Sequence, residues 1–216
     1  MQGVEPLAFA CGVIGAVWGV VADRISARWP AHEDGSVRRP DWRTPVVAIF
    51  GAVALAAVPI RFGDVAERAL FGAVFAALVL LMATDLDQRL LPDVVTLPLI
   101  VVGAAALVWG GDTLVDRQPA WLAVAVAIGL PLALYVASLP FGEGAFGGGD
   151  VKFLAGIGLL TGGVRLVLAV FVGALLSGVV ILALVAAKRI TLKSYIPFGP
   201  FLIIGALWAA LLPAAS

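Results

Sequence analysis

The chain has 216 residues, 62% of them apolar and only 13% charged, where a soluble domain carries about 25% charged residues. That balance predicts an all-α polytopic membrane protein, and with Lys plus Arg equal to Asp plus Glu at 14 each, no charge excess points to nucleic acid. One cysteine, Cys11, excludes an internal disulfide or a paired-cysteine zinc knuckle, and one histidine, His32, leaves too few imidazoles for a two-histidine metalloprotease site.

A membrane-spanning helix needs roughly 17–25 mostly apolar residues. Apolar runs predict about eight spans within a single integral-membrane domain, near 5–22, 44–60, 67–84, 94–110, 119–139, 151–164, 166–187 and 195–213. The first run lacks the Lys/Arg flank of a signal peptide and is expected to be retained. Its Gly12, Gly15 and Gly19, with Gly173 and Ser177 on the seventh run, read as small-residue seams for close helix packing. The stretch 23–43 holds Arg, Pro, Asp and His32 and reads as a cytosolic loop, too short for a core of its own.

The third run ends in Asp85-Leu86-Asp87-Gln88-Arg89-Leu90-Leu91-Pro92-Asp93. Asp93 falls in the first turn of the next helix, where the helix dipole favours an acid. Asp87, two residues beyond Asp85, is expected on another face, toward water or Arg89. Asp85 differs from both because it continues directly from the apolar run. The sixth run is preceded by Phe141-Gly142-Glu143-Gly144-Ala145-Phe146-Gly147-Gly148-Gly149-Asp150-Val151-Lys152. It is too short to cross ~30 Å of hydrocarbon at 1.5 Å per residue, and a short or broken helix is expected after the glycines. Glycines there can adopt positive φ or let backbone approach another chain closely. Pro197 and Pro200 break the chain at the start of the last span.

Positive charge sets an orientation. With the first helix starting outside, Arg24, Arg28, Arg38, Arg39, Arg43, Arg89, Lys152, Lys188, Arg189 and Lys193 lie on the cytosolic side. Arg61, Arg68, Arg117 and Arg165 lie outside, a partition of 10 to 4 that follows the positive-inside rule. Both chain termini are then outside, and Asp85 and Asp150 share one depth near the cytosolic surface. A carboxylate at a helix centre costs about 2.5–3.5 kcal/mol on insertion scales, so acids at the ends of apolar runs suggest use. Two of them facing each other would share one proton and could activate a water for peptide hydrolysis.

These residues carry a resemblance. DLDQRLLPD followed by VVTLPL, then GGGDVKFLAGIG, then Ile196-Pro197-Phe198-Gly199-Pro200-Phe201-Leu202, resembles the type IV prepilin peptidase family of GxGD intramembrane aspartyl proteases. Gly12–Pro30 resembles that family's first helix and basic exit. The resemblance places the catalytic pair on Asp85, the first Asp of the DxDxxxLPD pattern, and on Asp150 of GxGD, with Lys152 as the Lys of GxGDxK. Gly147, Gly148, Gly149, Arg89 and Pro197 become supporting or substrate-binding candidates. It also implies a prepilin or pseudopilin substrate, a bacterial inner-membrane location, and cleavage after the terminal Gly of a basic leader that stays in the cytosol.

Many members carry two CxxC pairs after the first helix, associated with zinc and with methylation of the new N-terminus. The stretch 23–43 has no cysteine. That puts the methyltransferase activity in doubt and makes S-adenosylmethionine a doubtful ligand. Proteolysis needs no cofactor, and no metal or zinc is expected. The alternative is a proton-coupled transporter using the same acids, against which the two halves show no evident repeat. A serine protease would need a base that His32, in a polar loop, does not supply. A non-catalytic scaffold would tolerate Asp→Asn at both positions.

Overall fold

The computed structural model describes residues 4–31, 35–110, 119–141, 146–189 and 197–213. His32, Arg117, Gly142, Glu143, Gly144, Ala145, Lys193 and Ile196 lie outside the described residues. The regular elements are α1 (Val4–Ser26), α2 (Arg43–Arg61), α3 (Val65–Gln88), α4 (Asp93–Gly110), α5 (Ala120–Ser138), α6 (Gly148–Thr161), α7 (Gly163–Ala186) and α8 (Gly199–Leu211), with a 3₁₀ turn at Leu139–Phe141. This is the all-helical fold that the apolar runs predict. Helices α1, α2, α3, α5 and α7 are long and apolar enough to cross a membrane. Helices α6 and α8 have 14 and 13 residues, about 20 Å of helix each.

Helix boundaries differ from the sequence expectation by up to four residues, among them the end of α1 (Ser26 for 22), the start of α8 (Gly199 for 195), the end of α3 and the start of α7. Helix α3 continues past residue 84 to Gln88, so Asp85 and Asp87 are both helical. Arg89 ends it in the left-handed region (φ 56°, ψ 41°), with its N–H donating to the Asp85 carbonyl at 2.9 Å. That conformation costs a non-glycine residue about 1 kcal/mol, which is why no sequence rule places an Arg there. The start of α7 moves from 166 to Gly163, which brings Arg165 inside the helix. Gly162, at φ 101°, supplies the turn between α6 and α7 in a backbone region that residues with side chains rarely adopt.

The chain forms two compact units, Met1–Pro92 and Asp93–Ser216. In the first, α1 and α2 pack antiparallel through their small residues. A Cβ on Gly15 would collide with the Gly51 carbonyl and one on Gly51 with the Gly15 carbonyl, while one on Gly19 would sit 2.5 Å from the Val47 oxygen. Gly12 is looser, with Ala56 Cβ at 3.4 Å. The expected seam is real, and its tight point is Gly15–Gly51. Helix α3 packs on both partners: Trp18 Nε1 donates to the Ala76 carbonyl at 2.9 Å. Phe62 and Phe71 stack at 4.1 Å between centroids where α2 turns into α3. Asp64 caps α3, accepting from the N–H groups of Ala66 at 2.7 Å and Glu67 at 3.3 Å.

In the second unit α4 lies along α6, α5 packs on α6 and α7, and α7 packs on α8. Gly205 abuts the Ala169 carbonyl, and a Cβ on Gly173 would stand 3.0 Å from the Phe201 oxygen. The second expected seam is therefore also built, with Ser177 buried and donating to the Ala174 carbonyl at 2.9 Å.

The backbone contact at Gly51 leaves no space for a side chain, so Gly51→Val is expected to destabilise the protein by about 1–3 kcal/mol, as overpacking does. Gly72→Ala, where an added Cβ meets nothing within 4 Å, is expected to be neutral or stabilising. Unfolding midpoints in detergent check both.

Candidate active site

The first unit presents Asp85 on the last turn of α3, 5% exposed. Thr84 beside it is fully buried, and its hydroxyl is satisfied by the Leu81 carbonyl at 3.1 Å. Asp87 does not face water. Its side chain is 2% exposed, with Oδ1 at 2.6 Å from Arg38 Nε and 3.0 Å from Arg43 Nη1. The sequence pattern misses this because both arginines come from the polar stretch that reads as solvated. Gln88 Nε2 donates to the carbonyls of Ser26 at 3.1 Å and Pro30 at 2.7 Å.

Those contacts belong to a larger cluster. Asp23, in the last turn of α1 and fully buried, accepts from Thr44 Oγ1 at 2.6 Å and pairs with Arg24 and Arg38. Arg38 also meets Asp41 at 2.7 Å, and Arg43 meets Asp41 at 3.6 Å. Burial works against the Arg38 charge, but the Asp23 hydrogen bond and charge, with Asp87 and Asp41, outweigh it and raise its pKa above the usual guanidinium value. Three arginines thus neutralise three aspartates. Removing one member of a buried pair costs about 3–5 kcal/mol, because it leaves a charge uncompensated. Asp23 carried the same signal as Asp85, an acid ending an apolar run, and could have been singled out on that ground.

The second unit carries Asp150 in the first turn of α6. Its Oδ2 accepts the N–H of Gly147, the N-cap residue, at 2.9 Å. Gly147 is extended at φ −90°, and neither Gly148 nor Gly149 has positive φ. The glycine run is thus not used for left-handed backbone. An added Cβ on Gly148 would meet nothing within 4 Å, and one on Gly147 would approach only the Asp150 carboxylate and the Gly149 nitrogen. Among the described residues, packing does not account for these two glycines. It does account for Gly156 and Gly103, where added Cβ atoms would lie 2.9 Å from Leu99 Cβ and 2.7 Å from Leu159 Cβ at the α4–α6 contact.

Lys152 reaches across that contact to Asp93 at the start of α4, with Nζ at 2.7 Å from both carboxylate oxygens. Phe146, buried just before the glycines, packs against Phe198 just before α8, the ring centroids 6.5 Å apart. The beginnings of α4, α6 and α8 are thereby linked. Pro197 is half-buried immediately ahead of Phe198, and Pro200 is buried in the first turn of α8. Arg89 is exposed at the end of α3, in the first unit with Asp85. Arg165, expected in an outer loop, is 3% exposed in α7, and its guanidinium donates to the carbonyls of Ala209, Leu212 and Pro213 that end α8.

Residues 70–183 match the type IV leader peptidase family. Two similar proteins, from Burkholderia pseudomallei strains 1026b and K96243, are each called "Prepilin leader peptidase/N-methyltransferase". Each is 34% identical over 116 residues, which is 53% of this chain and 37% of the relative, so the match spans little more than a third of their length. No solved structure matches the chain.

The Lys152–Asp93 pair is partly exposed, 39% and 57% for the two side chains, so its coupling is expected to be about 0.2–1 kcal/mol. A double-mutant cycle with Lys152→Met and Asp93→Asn, read from unfolding midpoints, measures it.

Proposed function

Because the chain belongs to the type IV leader peptidase family, we propose that it is an aspartic endopeptidase. Its substrates are prepilin-like proteins, cut at the cytosolic face of a bacterial inner membrane. Asp85 and Asp150 are the catalytic pair in this reading. The observation that carries it is the family match over 70–183, which contains both DLDQRLLPD and GGGDVK. The 10 to 4 partition of basic residues supports the cytosolic placement, with both termini outside. A basic leader held in the cytosol ahead of an apolar helix would present its junction at that depth.

Two carboxylates in hydrogen-bonding reach share one proton. The ionised member takes a proton from water as the water oxygen attacks the scissile carbonyl carbon. The protonated member donates to the carbonyl oxygen, giving a tetrahedral diol. Its collapse breaks the C–N bond, re-forms the carbonyl and passes a proton to the leaving amine. The titration belongs to the pair, so neither residue is assigned as base alone. Gly147, Gly148 and Gly149 offer backbone without side chains, which an extended substrate can approach. Pro197 and Phe198 supply apolar surface beside them, and Arg89 supplies cytosolic positive charge. Lys152 acts through Asp93 to hold α6 on α4. The proposal covers proteolysis without a metal or cofactor, and methyl transfer is not part of it.

Co-expression with a candidate prepilin, with the intact mass of the pilin as readout, tests this. The unmodified chain is expected to release the leader after its terminal Gly, and the same mass reports whether the new N-terminus carries a methyl group. Asp85→Asn and Asp150→Asn are each expected to lower cleavage by about 10²–10⁴-fold or more, the contribution of a positioned acid or base, with membrane insertion unchanged. Full cleavage in either variant removes that residue from the mechanism. An uncut precursor alongside the unmodified chain overturns the assignment.

A further inference from the structure

The cluster that holds Asp87 uses residues outside the family match, since Asp23, Arg24, Arg38, Asp41, Arg43 and Thr44 all precede residue 70. Its geometry bears on one segment. Asp87 and Gln88, the last two residues of α3, are the points at which the end of α1, the start of α2 and residues between them grip that helix. Asp87 is gripped by Arg38 at 2.6 Å and Arg43 at 3.0 Å, and Gln88 by the Ser26 and Pro30 carbonyls at 3.1 and 2.7 Å. Asp85 stands two residues earlier, about 200° around the helix from Asp87. A grip on one side of the last turn therefore fixes the rotation and height of the opposite side. Arg89 closes the turn by donating its N–H to the Asp85 carbonyl at 2.9 Å.

We propose that Arg38, from the connection that follows α1, and Arg43, the first residue of α2, form an arginine clamp on the end of α3, in which they are positioning residues for Asp85, acting through Asp87. The role of Asp85 rests on the peptidase reading above; the clamp itself rests on the contacts within the first unit. Arg38 is the centre, because among the described residues it alone bridges the α1 acid Asp23, the loop acid Asp41 and the α3 acid Asp87. The guanidinium spreads five donors over a rigid planar fork, whereas a lysine ammonium concentrates three on one compact, rotating centre.

The clamp predicts a specific pattern in the full-length protein in detergent or vesicles. In Arg38→Gln, amide hydrogen exchange at 84–89 is expected to speed up about tenfold or more while residues 65–80 of α3 keep their protection. For prepilin cleavage, kcat is expected to fall about 10²-fold, the effect of a misplacement near 1 Å, with KM within about twofold. Adding Asp87→Asn to Arg38→Gln restores the charge balance of the cluster, leaving Arg24 and Arg43 opposite Asp23 and Asp41, so stability is expected to recover while kcat stays low. A merely structural role would recover both. If Arg38→Gln does not accumulate in the membrane, Arg43→Gln, at the more exposed edge of the cluster, carries the same readings.

Unchanged exchange at 84–89, or recovery of kcat in the double variant, overturns the clamp. Exchange does not require the chain to be a peptidase. Full cleavage by Asp85→Asn would thus remove the peptidase role of Asp85 and leave the exchange result to judge the grip on α3.

Discussion

A carboxylate leaving water at the end of an apolar helix must find a counter-charge or a set of donors, and the ends of these helices are arranged around that demand. Asp23 and Asp87 are answered by Arg24 at the end of α1, Arg43 at the start of α2 and Arg38 between them. Asp150 is answered by the N–H of its own N-cap and by the positive end of α6. Asp93 is answered by Lys152 and by the start of α4. Each solution also fixes where a helix stops or starts. The acids therefore constrain geometry as well as chemistry, and neighbouring backbone cannot move without exposing or orphaning a charge.

Small residues provide the second constraint, because in lipid the helices gain little from burying apolar surface against each other and must approach closely instead. Gly15 and Gly51 bring α1 onto α2, Gly103 and Gly156 bring α4 onto α6, and Gly173 and Gly205 bring α7 onto α8. Gly147 and Gly148 differ from all of these. They have ordinary backbone conformations and no neighbour that a Cβ would strike, apart from the Asp150 carboxylate near Gly147. Within one chain, glycine thus serves two purposes, and only the contact geometry separates them. In the proposed reaction, bare backbone next to Asp150 is the property that matters.

Much of this was legible in the sequence. Spans are set by length and hydropathy, which are local, so the eight α-helices among the described residues fall close to the eight apolar runs. The spacing at Gly15 and Gly19 reveals its seam for the same reason. The end of α3 was harder, since Asp-Leu-Asp-Gln resembles a solvated turn until partners for Asp87 and Gln88 are known. Those partners lie 44 to 62 residues away in sequence, where periodicity carries no information. Arg165 misled by the same route: a charge at a span boundary reads as solvated, yet three carbonyls at the end of α8 receive it. At the candidate site, the family resemblance names Asp85 and Asp150, while the residues that hold their helices show only as contacts.

The two acids are held by different physics. Asp150 is fixed locally, by a hydrogen bond across three residues to an extended glycine, and a short helix carries it. The turn bearing Asp85 is fixed through side chains drawn from two other elements, with balanced charge and nearly complete burial at Asp23 and Asp87. Buried ion pairs contribute little net stability, and apolar replacements of similar volume are often as stable or more so. A cluster of six charged residues at the end of α3 is therefore poorly explained by stability alone. What it supplies is direction: ion pairs to a branched guanidinium fix distance and angle, whereas apolar contacts tolerate sliding and rotation of a helix end. A proton transfer that depends on placement to within about half an ångström gains from that rigidity, and a helix end that only closed a loop would not need it.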